Sequence, residues 1–149
     1  MPNPQTDLTR RPPRGPRVRL GGFALLPRML DKGRALLAGL QGDYKYACPL
    51  DQRFLDFAGI DPDALKAQLA AGLGDGDILR WVRQHSKTQP HPATIEAWST
   101  LVERQAPADL KSRQIFNELH QGCGPAREDI TTWFDLLDLD DYVSFGGKA

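Results

Sequence analysis

The stretch that decides the fold is LPRMLDKGRALLAGL, residues 26–40. Its apolar side chains recur every three or four residues, which predicts an amphipathic helix. Pro27 is favoured in the first turn, so we expect the helix to begin there and to end near Gly39 or Gly42. The apolar arc holds Leu26, Met29, Leu30, Leu37 and Leu40. The opposite arc, which is expected to face solvent, holds Arg28, Asp31 and Lys32, with Arg34 at its border.

Apolar residues repeat at helical spacing in six further segments, residues 50–58, 61–71, 78–85, 95–102, 110–119 and 130–137. The clearest start is Asp61, which can cap a helix whose first turn holds Pro62. These patterns predict an all-α fold, a single compact domain of about six or seven short helices. Residues 44–47 alternate as a strand does, so at most one very short strand pair is expected, at that place. The tryptophans Trp81, Trp98 and Trp133 are expected in a common core.

The N-terminal segment, residues 1–22, has the composition of an extended arm. Pro12, Pro13 and Pro16 fix the backbone and remove hydrogen-bond donors, and Gly21 and Gly22 close the segment. We therefore divide the chain into a basic arm, residues 1–22, and a helical domain, residues 23–149. The arm is expected either to lie over the domain or to move freely in solution.

Charge is distributed unevenly along a chain whose formal net charge is zero. Residues 1–34 carry eight Lys and Arg against two Asp, whereas residues 128–149 carry six Asp and Glu against one Lys. The two ends are electrostatically complementary, so they are expected either to pack together or to leave a positive patch that attracts an anionic partner.

The composition excludes several classes of protein. No apolar run approaches the roughly 20 residues of a membrane span, so no membrane partner is expected. Cys48 and Cys123 have neither the density of a disulfide scaffold nor metal-ligand spacing, which favours a reducing, cytoplasmic location. No metal site and no cofactor is expected, and the oligomeric state stays open.

The candidate ligand site combines the cations of the arm and the first helix with a cluster that follows that helix. Its members are Arg14, Arg17, Arg28, Asp31, Lys32, Arg34, Tyr44, Tyr46, Cys48 and Asp51. The cations are expected to converge beside Cys48 and Asp51, with Asp31 holding them in place through paired hydrogen bonds. The leading hypothesis is therefore a binding or interaction domain that recognises an anionic small molecule or an acidic protein surface.

Two other functions compete with this hypothesis. The protein could be an enzyme that uses Cys48 as nucleophile, or Asp31 and Asp51 as acid and base, although no histidine lies near Cys48 and a buried, inert cysteine is common. It could instead assist a nucleic acid through the arginines of the arm. No aromatic side chain alternates with those arginines, so the sequence disfavours nucleic acid as a partner. The catalytic residues stay unassigned.

Several strings of the chain are long enough to be specific. They are residues 7–9, 11–14 and 16–22 of the arm, residues 26–32 with 34–35 of the first helix, and Tyr44, Tyr46 and residues 48–51. On these strings the chain resembles a bacterial family known only as domain of unknown function 5069. The resemblance covers nearly the whole chain and is most distinctive in residues 1–60. It implies a small single-domain protein and brings no activity, cofactor or site residue with it.

Overall fold

The computed structural model describes residues 6–149 and confirms a mostly helical fold. Over these residues it contains seven α-helices and one pair of two-residue strands. In chain order the elements are β1 (Arg19–Leu20), β2 (Phe23–Ala24), α1 (Leu26–Ala38), α2 (Pro49–Ala58), α3 (Pro62–Ala70), α4 (Asp75–His85), α5 (Pro92–Glu103), α6 (Leu110–Cys123) and α7 (Trp133–Ser144). None of the described helices is both long and apolar enough to cross a membrane.

The strand pair lies before α1, so its predicted position at residues 44–47 was wrong. Strands β1 and β2 are antiparallel and are joined by Gly21 and Gly22, whose φ angles are +59° and +86°. A two-residue hairpin of this kind needs positive φ at both turn positions, which glycine adopts without strain. Residues 44–47 do not continue as an extended strand, because Ala47 has a φ of +58°.

Helix α1 lies at the centre of the fold, and it is buried on both of its faces. Its apolar side packs against α3 and α2, and every residue from 26 to 33 is buried. The expectation that its charged arc faces solvent is wrong, because Arg28, Asp31 and Lys32 are only 4%, 7% and 4% exposed. Each of them meets an opposite charge from another part of the chain, which is how buried charges are tolerated.

The hydrophobic core is built mainly from phenylalanine and aliphatic side chains. The larger cluster surrounds Phe23 and Phe54, and a smaller one joins α6 to α7 through Phe116. The three tryptophans lie at the edges of these clusters and are only partly buried, so the expectation of a shared tryptophan core was wrong. Their rings contact single aromatic neighbours instead, as Trp98 does by stacking on Phe57 with centroids 4.6 Å apart.

The two ends of the chain pack together, as their complementary charges suggested. Arg17 forms ion pairs with Asp135 and Asp138 of α7, and Arg28 forms one with Asp141. Backbone hydrogen bonds also tie the described part of the arm to the helices, among them the bond from the Leu8 N–H to the Leu40 carbonyl. The division of the chain at residue 22 stays a prediction.

The start of α7 is fixed by an acid-sensitive cap. Thr132 accepts a hydrogen bond from the backbone N–H of Asp135, whose carboxylate accepts bonds from the N–H groups of Thr131 and Thr132. Burial raises the pKa of Asp135, but these hydrogen bonds and Arg17 outweigh it and lower the pKa to about 2. The ionised carboxylate therefore stabilises the fold above its unfolded pKa, and the contribution is lost as the pH falls through the folded pKa.

We expect Asp135→Asn to lower the free energy of unfolding near pH 7 by about 1–2 kcal/mol. The variant should also lose part of the drop in stability that the wild type shows between about pH 4 and about pH 2. Urea denaturation across that range measures both effects. Asp138→Asn is the matched control, since Asp138 also pairs with Arg17 but its pKa is raised, chiefly by burial. An equally steep acid loss in Asp135→Asn and the wild type would contradict the assignment.

Candidate functional site

A cleft lies beside the start of α2 and consists of two adjoining cavities. One has a volume of about 680 Å³ and a polar floor that includes Arg28, Lys32 and Asp51. The other has a volume of about 380 Å³ and is lined mainly by apolar side chains of α2, α6 and α7. The cavities adjoin along Cys48, Leu50, Leu137 and Asp140, which line both of them, and together they are called the cleft.

At one side of the polar cavity a buried ion pair joins α1 to α7. Arg28 donates to both carboxylate oxygens of Asp141, at 2.7 and 3.2 Å, and the two side chains are 4% and 9% exposed. The Tyr44 hydroxyl donates to Asp141 Oδ1 at 2.7 Å. Burial raises the pKa of Tyr44, and the hydrogen bond to Asp141 raises it further, so the phenol stays protonated. This triad fixes the loop after α1 against α7.

A second buried pair connects α1 to the start of α2. Lys32 Nζ lies 2.7 Å from Asp51 Oδ2, and the two side chains are 5% and 1% exposed. The distance is that of an ion pair, although the angle is not that of a hydrogen bond. Neither oxygen of Asp51 accepts a well-aligned hydrogen bond from any residue of the described range 6–149. Lys32 is therefore the partner that compensates the buried charge of Asp51, and both carboxylate oxygens are shielded from solvent.

Cys48 stands where the two cavities meet. It is the N-cap residue of α2, and its side chain makes no capping hydrogen bond. Lys32 Nζ donates to its Sγ at 3.4 Å, so one ammonium contacts both the thiol and Asp51. The side chain is partly exposed, and it lines both cavities.

Cys123 also lines the apolar cavity, but its thiol contacts a carboxylate, whereas the Cys48 thiol contacts an ammonium group. It is the last residue of α6, and its thiol donates to Asp140 Oδ1 at 3.6 Å. Burial, and then the charge of Asp140, raise the pKa of the Cys123 thiol above its ordinary value. Cys123 is therefore held as the neutral thiol, at the negative end of a helix and beside a carboxylate.

The ten predicted site residues fall into separate groups. Five of them line the polar cavity of the cleft, namely Arg28, Lys32, Tyr44, Cys48 and Asp51. Arg14, Asp31 and Arg34 line another cavity, of about 390 Å³, together with Asp75 of α4. Arg17 lies against α7, and the Tyr46 hydroxyl donates to the Pro62 carbonyl oxygen at 2.8 Å. The five cations therefore do not converge on one patch beside Cys48 and Asp51.

Each predicted cation meets a carboxylate of the same chain. Arg14 pairs with Asp31 and Asp75, and Arg34 with Asp75. Asp31 also accepts hydrogen bonds from the Arg14 backbone and guanidinium, as its predicted positioning role requires. With the pairs of Arg17, Arg28 and Lys32, these contacts compensate the positive charge internally.

The sequence did not reveal the far wall of the cleft. Leu119 and Cys123 belong to α6, and Trp133, Leu137 and Asp140 belong to α7, so this wall lies about 80 to 110 positions from α1 in sequence. The one sequence feature that pointed to this wall was the acidic C-terminal segment, whose charge is opposite to that of the arm. Within the described residues, no group of three or more His, Cys, Asp or Glu side chains is arranged to hold a metal ion.

Comparison with known proteins gives one family match. A family model described as a domain of unknown function (DUF5069) matches residues 10–143 and so includes residues 10–22 of the arm, α1 and most of α7. A search of the curated proteins gives no match.

Proposed function

The chain belongs to the DUF5069 family, and from that premise we propose that it is a binding domain for a small amphipathic molecule held in the cleft. The apolar part of the ligand occupies the cavity lined by Leu119, Trp133 and Leu136, and its polar head lies beside Asp140, an exposed carboxylate that lines both cavities. The observation that carries the proposal is that an apolar cavity and a polar cavity lie side by side and have four lining residues in common, Cys48, Leu50, Leu137 and Asp140.

The dimensions and lining of the cleft support a small ligand. Ligand sites in proteins are typically concave, of about 300–1,000 Å³, with apolar walls and a few polar groups that orient the ligand. The apolar cavity of about 380 Å³ falls within that range and has an indole, Trp133, in its wall. Filling it with a hydrocarbon tail would remove apolar surface from water, at about 25 cal/mol per Å².

The charges of the polar cavity favour a head group that donates hydrogen bonds. Arg28 and Lys32 already have carboxylate partners at 2.7 Å, whereas Asp140 is exposed, lines both cavities and forms no ion pair within the described part of the chain. An anion would have to compete with Asp141 and Asp51 for those cations, and it would add negative charge beside them. An uncharged hydroxyl or an ammonium group can instead donate a hydrogen bond to Asp140. The anionic ligand expected from the sequence is therefore the competing hypothesis.

A titration with three probes that share one tail separates these hypotheses. We expect octanol and octylamine to quench or shift the fluorescence of Trp133 and to raise the melting temperature at about millimolar concentrations or below. Octanoate should bind at least about tenfold more weakly, because its carboxylate meets Asp140. A Trp133→Phe variant identifies the part of the signal that comes from this indole. If octanoate binds tightest, the head-group assignment is wrong and the anionic hypothesis is supported.

Steric blocking tests the cleft itself. Leu119 is 51% exposed and lines the apolar cavity, so Leu119→Trp should fill its mouth and weaken octanol binding by about tenfold. Leu101→Trp is the matched control, because Leu101 is 60% exposed on α5 and lines neither cavity of the cleft. Equal binding by both variants, or no binding of any probe, would contradict the proposal.

Two further parts of the proposal concern the type of binding partner and the cellular location of the protein. An acidic protein surface is less well supported than a small molecule, since Arg14, Arg17 and Arg34 are each paired within the chain. A cytoplasmic location, favoured by two unpaired cysteines, stays a prediction.

A further inference from the structure

We propose that the outer face of helix α6 is an interface at which two copies of this chain pair in antiparallel orientation. The face consists of Lys111, Ile115, Glu118, Leu119 and Gly122 and is called the α6 face. This surface lies outside the proposed ligand site, apart from Leu119, which also lines the apolar cavity. Its support comes from exposed apolar side chains and from charges whose arrangement is complementary to itself.

Helix α6 is held by the rest of the chain along one side. It packs mainly against α7, and among its fourteen residues, all within the described range, only Phe116 is buried. Ile115 and Leu119, four positions apart on the outer side, are 45% and 51% exposed. Because Leu119 borders the apolar cavity, the exposed apolar surface continues from the α6 face into the cleft. A contiguous apolar surface of this kind marks an interaction site, whereas single scattered apolar residues do not.

Two charged residues of the α6 face have no counter-ion within the described chain. Lys111 and Glu118 are exposed, and neither forms an ion pair with any residue of the range 6–149. The residues three and four positions away from each of them are uncharged, so no ion pair along the helix is available to them. Lys111 also lies in the first turn of α6, where the helix dipole disfavours a cation. Both charges are therefore open to a partner from outside the chain.

The spacing of these charges makes the α6 face complementary to a second copy of itself. Residues 111, 115, 118 and 122 follow at intervals of four, three and four, so they lie along one side of the helix. Lys111 and Glu118 are seven residues apart, which is about 10.5 Å along the axis. A two-fold axis next to Ile115 exchanges the two positions. Lys111 of each copy then meets Glu118 of the other, and the two Ile115 side chains meet at the centre.

The same charges disfavour the alternatives to this arrangement. In a parallel pair in register, Lys111 would face Lys111 and Glu118 would face Glu118, and like charges at contact distance repel. A different protein would need to carry an acid and a base at the matching separation, whereas a second copy carries them by symmetry. Gly122 leaves the end of the face open, because a Cβ at this position would meet nothing within 4 Å in the described chain.

The size of the α6 face determines the expected affinity. A helix of fourteen residues is about 21 Å long. The contact between two such helices is smaller than the roughly 1,200–2,000 Å² of a standard stable interface, and small interfaces are typical of transient complexes. We therefore expect a dissociation constant on the order of 10–100 µM.

Sedimentation velocity of the full chain over about 5–500 µM tests the interface. The mass should rise with concentration from the chain mass of 16.6 kDa toward twice that value. Ile115→Lys should weaken dimerisation at least about tenfold, because two ammonium groups would meet at the two-fold axis. Leu110→Lys is the matched control, since Leu110 is 75% exposed on the same helix but lies about 140° around it from Ile115. Lysine is a good helix former, so both variants should keep α6 intact. A chain that stays monomeric throughout, or an equal loss in both variants, would overturn the proposal.

Exchange of the two charges tests the register of the pair. Lys111→Glu alone should weaken dimerisation by about tenfold, because it places two acids opposite each other at both ends of the interface. Lys111→Glu combined with Glu118→Lys should return to within about threefold of the wild type, because both ion pairs form again with their signs reversed. A double variant that is as weak as Lys111→Glu would overturn the proposed register.

Disulfide cross-linking distinguishes the two possible helix directions. In a Cys48→Ser, Cys123→Ser background, Ile115→Cys should form a covalent dimer under mild oxidation with oxidised glutathione. Gly122→Cys should not, because antiparallel helices place the two copies of position 122 about 22 Å apart, and a disulfide needs Cα atoms within about 7 Å. A covalent dimer of Gly122→Cys would indicate a parallel pair and overturn the proposal.

The interface and the ligand site can be tested separately. Ile115 lines neither cavity of the cleft, so Ile115→Lys should bind octanol as the wild type does. Leu119 belongs to both surfaces, and Leu119→Trp is expected to affect both. If octanol fails to bind while Ile115→Lys abolishes dimerisation, the ligand site is wrong and the interface stands. If octanol binds and the chain is monomeric at every concentration, the ligand site stands and the interface is wrong.

Discussion

Replacing Arg28 with methionine should lower the free energy of unfolding by about 3–5 kcal/mol. The substitution keeps most of the volume of the side chain but leaves the Asp141 carboxylate, which is 9% exposed, with the Tyr44 hydroxyl as its remaining partner among the side chains that contact it here. A buried charge without a counter-ion is expensive because little water can solvate it. Urea denaturation of the wild type and the variant measures the loss.

Two further variants show whether the loss comes from the stranded charge. Arg28→Met combined with Asp141→Leu should regain at least about half of the lost stability, because no uncompensated charge is left buried. Arg80→Met is the matched surface control, since Arg80 and Asp77 form a 2.9 Å pair whose side chains are 71% and 59% exposed. Pairs so exposed contribute about 0–1 kcal/mol. A similar small loss in Arg28→Met would contradict a structural role for the buried pair.

This ion pair also shows where the sequence stopped being informative. The periodicity of residues 26–40 predicted α1 correctly, because helix formation depends on neighbours three and four positions apart. The same periodicity assigned Arg28 and Lys32 to a solvent-facing arc, whereas both are buried against acids from α7 and α2. Which acid meets which base is decided by the packing of elements distant in sequence, and helical spacing carries no information about that.

The candidate site was predictable to a similar degree. Of the seven polar residues from Arg28 to Asp51 that line the cleft, five were among the predicted site residues, and Asp43 and Lys45 were missed. The apolar wall was not predicted, because Leu119 and Cys123 join the cleft only through the packing of α6 on α7. Without that wall the positive arm suggested an anion site. With it, and with the cations paired, an amphipathic ligand has the better physical support.

Phe54→Ala should also cost about 3–5 kcal/mol, because it empties a position in the centre of the larger core cluster. Phe54 is 0% exposed, and its ring meets that of Phe23 edge to face, with centroids 5.3 Å apart. Trp98→Ala removes a larger side chain but should cost less, about 1–3 kcal/mol, because the indole is partly exposed and stacks mainly on Phe57. Thermal and urea unfolding of the two variants give the order directly, and a greater loss for Trp98→Ala would contradict it.

Because Phe54 anchors α2, which begins beside Cys48 and carries Asp51, its removal should also disturb the contact of Lys32 with both. Alkylation of Cys48 should therefore change in Phe54→Ala under conditions where the variant is still folded, and stay unchanged in Trp98→Ala, which links the packing of the core to the chemistry of the cleft.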